Sequence, residues 1–376
     1  MTTYGIDAHL LLRENATGVP RYAWFLLREM MKTPLADDER VVLYGHLPKP
    51  KELSLVQGWS WKTLSWPIPR GWTHGRLSIE MMMNPSNVLF VPGHEVPMFF
   101  QKQTSVVTTL HDVAFAMNAQ VYDPTSRQRQ ELAVQNAIRR ATRILTPSNA
   151  TKADLESHYH VASDRIVVTP LAPTMPRSTA DALELLRKLQ IGKGQFILSI
   201  SRLEKKKNTA LLIRAFAQLK RKLGAGNPLT LVLAGSFGYG EQEIRQAIVE
   251  ERIADSIRLP GYVSDDDASL LLQSSMCFAF PSVAEGFGIP VLEAMEHSAP
   301  VVASNIAVMR EVCGDAAMLV SPNDISALAV GIEHMMDVAT REEYRERGLA
   351  RVQSFSWNVP AQRTWAALRE AANIRR

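Results

Sequence analysis

Short apolar runs alternate along the whole chain with stretches in which apolar positions recur at helical spacing, a pattern that predicts parallel sheets covered by helices on both faces. In the first half the strand-like runs fall at residues 4–7, 41–44, 88–91, 106–110 and 143–146. In the second half they fall at 196–200, 229–234, 256–259, 276–280, 299–303 and 317–320. Between them lie amphipathic stretches such as 208–223, where Leu211, Leu212, Ala215, Phe216 and Leu219 share a helical face and Asn208 is the expected N-cap. No internal repeat or low-complexity tract interrupts the alternation.

The pattern breaks at 169–177, where Pro170, Pro173 and Pro176 forbid a helix and bias the residues before them to extended backbone. Two doubly wound α/β domains are predicted on either side. A length of 376 residues has room for both. The net charge is +4, of which +3 falls on residues 1–175 and +1 on 176–376. That is too mild for a dedicated nucleic-acid binder, which carries a concentrated basic face. The most apolar stretches, 88–100 and 289–302, are broken by Pro, Glu and His, so no membrane span is predicted. The first residues carry no basic region followed by an apolar run, and only 2 Cys are present, so neither a secretory signal nor a disulfide framework is expected. A reducing cytoplasm is the expected compartment.

The richest chemistry lies at 281–295, Pro-Ser-Val-Ala-Glu-Gly-Phe-Gly-Ile-Pro-Val-Leu-Glu-Ala-Met. It reads as a strand end, a loop with Gly286 and Gly288, and a helix start with Pro290 near its first position. Open α/β sheets bind ligands at this edge, and helix N-termini favour phosphate. Glu285 and Glu293 frame the segment. Phosphate would repel a carboxylate, so each is expected to accept hydrogen bonds from vicinal hydroxyls, one set on a sugar and the other on a ribose. A second segment, 199–208, carries Arg202 and Lys207 on the turn after the first strand of the second domain. Arg offers a planar fork to phosphate oxygens and Lys a compact charge. A solvated basic turn is the alternative reading of the same residues. Two further segments offer chemistry that the details do not favour. Ser264 and the three aspartates after it have metal-ligand spacing but fit a helix cap. The glycines of 235–240 are in the wrong order for a dinucleotide fingerprint.

Together the segments from Arg202 to Asn208 and from Glu285 to Met295 resemble the donor-site motifs of retaining glycosyltransferase family 4. The resemblance runs through nearly the whole chain: Gly18-Val-Pro-Arg-Tyr, Leu110-His-Asp-Val-Ala-Phe, Thr146-Pro-Ser-Asn-Ala-Thr-Lys and Phe355-Ser-Trp. It implies a GT-B fold, two Rossmann-like doubly wound domains with a cleft between them. Residues 1–172 plus about 358–376 would form the acceptor-side domain, the last segment returning as a helix, and 173–357 the nucleotide-sugar domain.

By the same resemblance Arg202 and Lys207 would neutralise a nucleoside diphosphate, with Gly286 and the amides of Phe287, Gly288 and Ile289 against phosphate or sugar. Glu285 would hold donor-sugar hydroxyls, Glu293 the ribose diol, and the loop with Tyr262 and Val263 the nucleobase. In the first domain Gly18 would let the backbone approach the diphosphate, although Thr17 stands where many relatives have a second Gly. His111 matches the family's active-site histidine, with a structural turn as its alternative. Asp112 and His94, the latter beside Glu95, are weaker acceptor-side candidates.

The expected reaction is retaining, metal-independent hexosyl transfer without a protein cofactor. The Val-Pro-Arg-Tyr and Leu-His-Asp segments most resemble bacterial O-antigen and surface-polysaccharide mannosyltransferases. GDP-mannose is therefore the expected donor, with UDP-sugars and other GDP-sugars as alternatives. The expected acceptor is a lipid-linked glycan at the inner face of the membrane, with weak peripheral membrane association. A GT-B sugar-nucleotide epimerase and a non-catalytic nucleotide-binding scaffold are the rival classes.

Overall fold

The computed structural model describes residues 1–12, 18–67, 71–224 and 226–374. The chain divides into two compact units, Met1–Ala116 with Thr125–Leu171 and Ser356–Arg376, and Met117–Pro124 with Ala172–Phe355. The crossing between Leu171 and Ala172 falls inside the proline-rich stretch. The short segment Met117–Pro124 departs from the expected 1–172 boundary, because it packs with the second unit.

In the first unit seven parallel strands, β1 (Thr2–Asp7), β2 (Glu39–Gly45), β3 (Trp59–Thr63), β4 (Val88–Val91), β5 (Ser105–Thr109), β6 (Arg143–Thr146) and β7 (Ile166–Val168), lie in the order 3-2-1-4-5-6-7. In the second unit six parallel strands, β8 (Phe196–Ile200), β9 (Thr230–Ala234), β10 (Ile257–Gly261), β11 (Cys277–Phe280), β12 (Val301–Ser304) and β13 (Ala317–Val320), lie in the order 10-9-8-11-12-13. Each order reverses once, between β1 and β4 and between β8 and β11. Such switch points open a crevice at the carboxyl ends of the strands.

The central strands are apolar throughout because helices cover both faces. In the second unit Ile197, Leu231 and Leu233 pack with Leu212, Ile213, Phe216 and Leu219 of the helix Thr209–Leu223 in one core. The helix begins where expected, but Asn208 caps it differently: Asn208 is left-handed (φ 57°) and makes no side-chain cap. Its amide instead donates to the Pro322 carbonyl at 2.7 Å, tying the turn to another loop. Ser264 does cap its helix, accepting from the Asp267 amide at 3.1 Å.

In the first unit the helix Asn358–Ile374 lies against the sheet and the helix Val19–Met30. Trp365 Nε1 donates to the Met30 carbonyl at 3.1 Å, and Arg369 grips Glu39 with two hydrogen bonds of 2.9 and 2.8 Å. That grip is the main reason the Glu39 carboxyl is held down to about 2.

Candidate active site

The second-unit candidates gather at the β8/β11 switch point. The turn after β8 carries Arg202 and Lys207, and the loop after β11 carries Glu285, Gly286, Phe287 and Gly288. These two segments are stitched together: Val283 donates its amide to the Lys206 carbonyl at 2.9 Å, and Ser282 Oγ donates to the same carbonyl at 3.0 Å. The stitching brings Lys207 Nζ into a direct ion pair with Glu285, and it lies 5.0 Å from the centre of the Phe280 ring. Both side chains are largely buried, at 14% and 11% exposure. Burial pushes the Glu285 carboxyl up, but Lys207, then Lys206, and the Ser282 hydroxyl outweigh it and leave it below its ordinary value. Side-chain chemistry and the family resemblance assign Lys207 to a diphosphate and Glu285 to sugar hydroxyls; the fold makes them direct partners, 78 residues apart in the chain.

Arg202 is different, 67% exposed and only 3.9 Å from Glu204 Oε2. It runs beside the turn after β9, where a Cβ on Gly238 would stand 2.7 Å from Arg202 Nε. Backbone bonds lock the two turns: Leu203 to the Ser236 carbonyl, Gly238 to the Leu203 carbonyl, and Lys205 to the Tyr239 carbonyl. Gly235 sits at the start of that turn at φ 136°, and any Cβ there would overlap the Ser201 carbonyl oxygen. The glycine pattern of 235–240 thus serves close backbone approach beside the cationic turn.

Gly288, left-handed at φ 99°, ends the loop and starts the helix Ile289–Glu296, with Ile289 as its first residue. In its first turn Pro290 has no N–H and Val291 donates to the Gly288 carbonyl at 3.0 Å, so the Ile289 amide is the first-turn candidate donor to an anion. Phe287 itself faces inward, edge-on to Phe355 at 5.9 Å. Glu293 is buried and lies in the helix's second turn, not its first. Its Oε1 accepts from Thr174 Oγ1 at 2.7 Å, so the carboxylate is anchored to the proline-rich segment. Tyr262 is well exposed beyond the end of β10, and Val263 follows it half-buried.

The first-unit candidates lie at the carboxyl ends of that unit's own strands. His111 follows β5; its Nε2 lies 3.0 Å from the Pro92 carbonyl, and its ring stands edge-on to Tyr22 at 4.6 Å. A carbonyl only accepts, so Nε2 carries the proton and Nδ1 is the lone-pair nitrogen of the neutral ring. Burial first, and then the nearby His94, push the His111 pKa down to about 4 against the opposing Pro92 bond and Asp112. Asp112 in turn helps to raise the Asp154 carboxyl, which burial has already pushed up. Gly18, at φ 62° with open space around it, stands before the helix that carries Tyr22. Thr17 lies outside the described residues. Tyr22, Ser282 and Lys206 fall within the marked motif segments and Thr174 within the proline-rich stretch, but nothing in their spacing marks them as supports.

The low His111 pKa has a sign that can be tested. An unfolded His takes its proton near pH 6.5 and the folded one near 4, so stability is lost as pH falls across that window, by roughly 3 kcal/mol at most. The His111 Cε1–H resonance is expected to stay in place from neutral pH down to pH ~5; a midpoint near the ordinary histidine value would show that the site is wetter than described.

The description "Glycosyltransferase Family 4" matches residues 87–172, and "Glycosyl transferases group 1" matches residues 182–351. The O-antigen chain mannosyltransferase B of Escherichia coli is 35% identical over 256 residues, which cover 67% of this chain and 66% of the relative. The chain belongs to glycosyltransferase family 4. A second relative of this family 4 protein, the serotype-specific mannosyltransferase WbdA of Escherichia coli, is 28% identical over 72% of the chain but only 33% of its own length. Among solved structures, a sucrose-phosphate synthase from Thermosynechococcus elongatus aligns over 100% of both chains with TM-score 0.75 and 17% identity. That likeness fixes the fold as GT-B.

Proposed function

We propose that this family 4 protein transfers mannose from GDP-mannose, with retention and without a metal, to a lipid-linked glycan in O-antigen or related surface-polysaccharide synthesis. The Lys207–Glu285 pair at the β8/β11 switch point carries the reading. It sets a cation for a departing diphosphate and a carboxylate for sugar hydroxyls side by side, and the relatives named above are mannosyltransferases. Arg202, exposed on the same turn, supplies a second cation, and the Ile289 amide at the helix start after Gly288 supplies a backbone donor.

In the reaction the bond from the sugar's anomeric carbon to the diphosphate breaks as the acceptor hydroxyl bonds to the same face. The acceptor proton passes to a diphosphate oxygen. The protein positions the partners and stabilises the departing charge. Glu285 holds hydroxyls and, paired with Lys207, is not a free nucleophile. Glu293, already bound to Thr174, would meet a ribose only through its remaining acceptor positions. His111, neutral at physiological pH, would contribute a hydrogen-bonding ring and no charge.

A chelator tests the metal-free step: excess EDTA is expected to leave the initial rate of GDP-mannose turnover unchanged, and loss of rate restored by a divalent cation would overturn it. Turnover of donor with no acceptor consumed would favour an epimerase. Donor binding without turnover would favour a scaffold.

A further inference from the structure

The second sheet has a cavity of about 490 Å³, the size of a small-molecule site, at the amino ends of its strands, the edge opposite the Lys207–Glu285 pair. Its walls include the residues just before three strands: Lys193 before β8, Ser274 and Ser275 before β11, and Ser298 before β12. The Gly194 amide donates to the Ser274 carbonyl at 2.8 Å and fixes the first of these turns to the second. The whole cavity lies within the second unit. Charge decides what it takes. Arg345 is held by Glu342 at 2.6 Å, so these two cancel. Arg177, Lys193 and Arg341 also line it and form no ion pair among the described residues. The other carboxylate in the lining, Asp181, already accepts from the Leu183 amide at 3.0 Å.

Ser298 gives a second, independent observation. The helix Ile289–Glu296 ends in a hydrogen-bond pattern that usually carries glycine: Ala299 donates to the Ala294 carbonyl at 2.9 Å and Ser298 to the Met295 carbonyl at 3.0 Å. Ser298 takes the left-handed position at φ 64°, which strains any side chain. What the serine adds over glycine is a hydroxyl on the cavity wall. It accepts from Arg177 Nη1 at 3.3 Å, so its own proton can go to a ligand. Arg177 and Arg341 each engage only Nη1 with the protein, which leaves the other donors of both guanidinium groups. Such forks, with a lysine and hydroxyls around them, match the oxygens of a phosphate. No Phe, Tyr or Trp lines the cavity among the described residues, so nothing there would stack on a nucleobase. We infer that this cavity binds a small phosphate-bearing anion, free phosphate or a phosphate monoester, at a site separate from the one proposed for sugar transfer.

The test is isothermal titration of the full chain, without donor or acceptor, so its failure leaves the donor assignment untouched. The probes are inorganic phosphate and glycerol 3-phosphate, and the tighter of the two tells whether the free ion or a monoester is the fitter occupant. Saturable binding with a Kd below about 1 mM is expected. Arg177→Gln/Arg341→Gln is expected to weaken it about tenfold or more. Ser298→Gly, which relieves the strained backbone and keeps the helix end, is expected to weaken it about threefold. Arg202→Gln, on the far edge of the sheet, is expected to leave it unchanged. Absence of saturable binding would overturn the inference, as would equal binding by the Arg177/Arg341 variant with unchanged circular dichroism. So would loss of binding in Arg202→Gln alone, which would seat the probe at the turn after β8.

Discussion

Replacing Lys207 by alanine is expected to lower kcat/KM for sugar transfer by roughly 10²–10³-fold, the usual cost of removing one preorganised group aimed at developing charge. The substitution also reaches stability. Lys207 and Glu285 are both largely buried, so the lysine's loss strands a carboxylate. Breaking a buried pair costs up to about 3–5 kcal/mol, limited here because Glu285 can take up a proton. The two effects separate in a double variant. Lys207→Ala/Glu285→Gln removes the stranded charge and is expected to recover most of the lost stability while activity stays low. Recovery of both together would mean that the pair is structural only. Steady-state kinetics beside urea denaturation of the two variants and the parent decides between these outcomes.

The second large effect is expected at Gly235. Its φ of 136° is closed to ordinary side chains, and a Cβ would run into the Ser201 carbonyl oxygen, which belongs to rigid backbone. Gly235→Ala is therefore expected to cost about 3–5 kcal/mol, combining backbone strain with displacement of the turn that bears Arg202 and Lys207. Gly194 is the control: its φ is also positive, at 68°, but open space surrounds its Cβ position. Gly194→Ala should cost only about 1–2 kcal/mol. Equal midpoint shifts for the two variants in urea would show that the close approach at Gly235 is not what matters.

Much of this architecture was legible in the sequence because its central strands are buried on both faces. β8, with Phe196, Ile197 and Leu198 all inaccessible, reads as an unbroken apolar run. β3 and β7 passed unseen for the opposite reason. Both are edge strands; β3 buries only Trp59 among five residues, and β7 is three residues long. The candidate site was legible as residue types on particular loops, but not as geometry. Nothing in the spacing of Lys207 and Glu285 says that they meet, since the meeting depends on the order of β8 and β11 and on the bonds from Val283 and Ser282. Glu293 is the same lesson in reverse. Its place in the motif suggests an open ligand for a ribose, whereas tertiary packing buries it and gives it Thr174. Asn208 occupies the position expected of a cap, and the demands of a left-handed turn send its side chain to Pro322 instead.

The central claim is that this chain moves mannose from GDP-mannose with retention. Its most direct test is a proton NMR time course of the purified protein with GDP-α-mannose and a synthetic lipid-linked mannoside, set against the same reaction with UDP-glucose. The account predicts release of GDP, appearance of a new α-mannosyl anomeric signal and no product from UDP-glucose. A β-mannosyl product, or turnover of UDP-glucose with GDP-mannose inert, would contradict it.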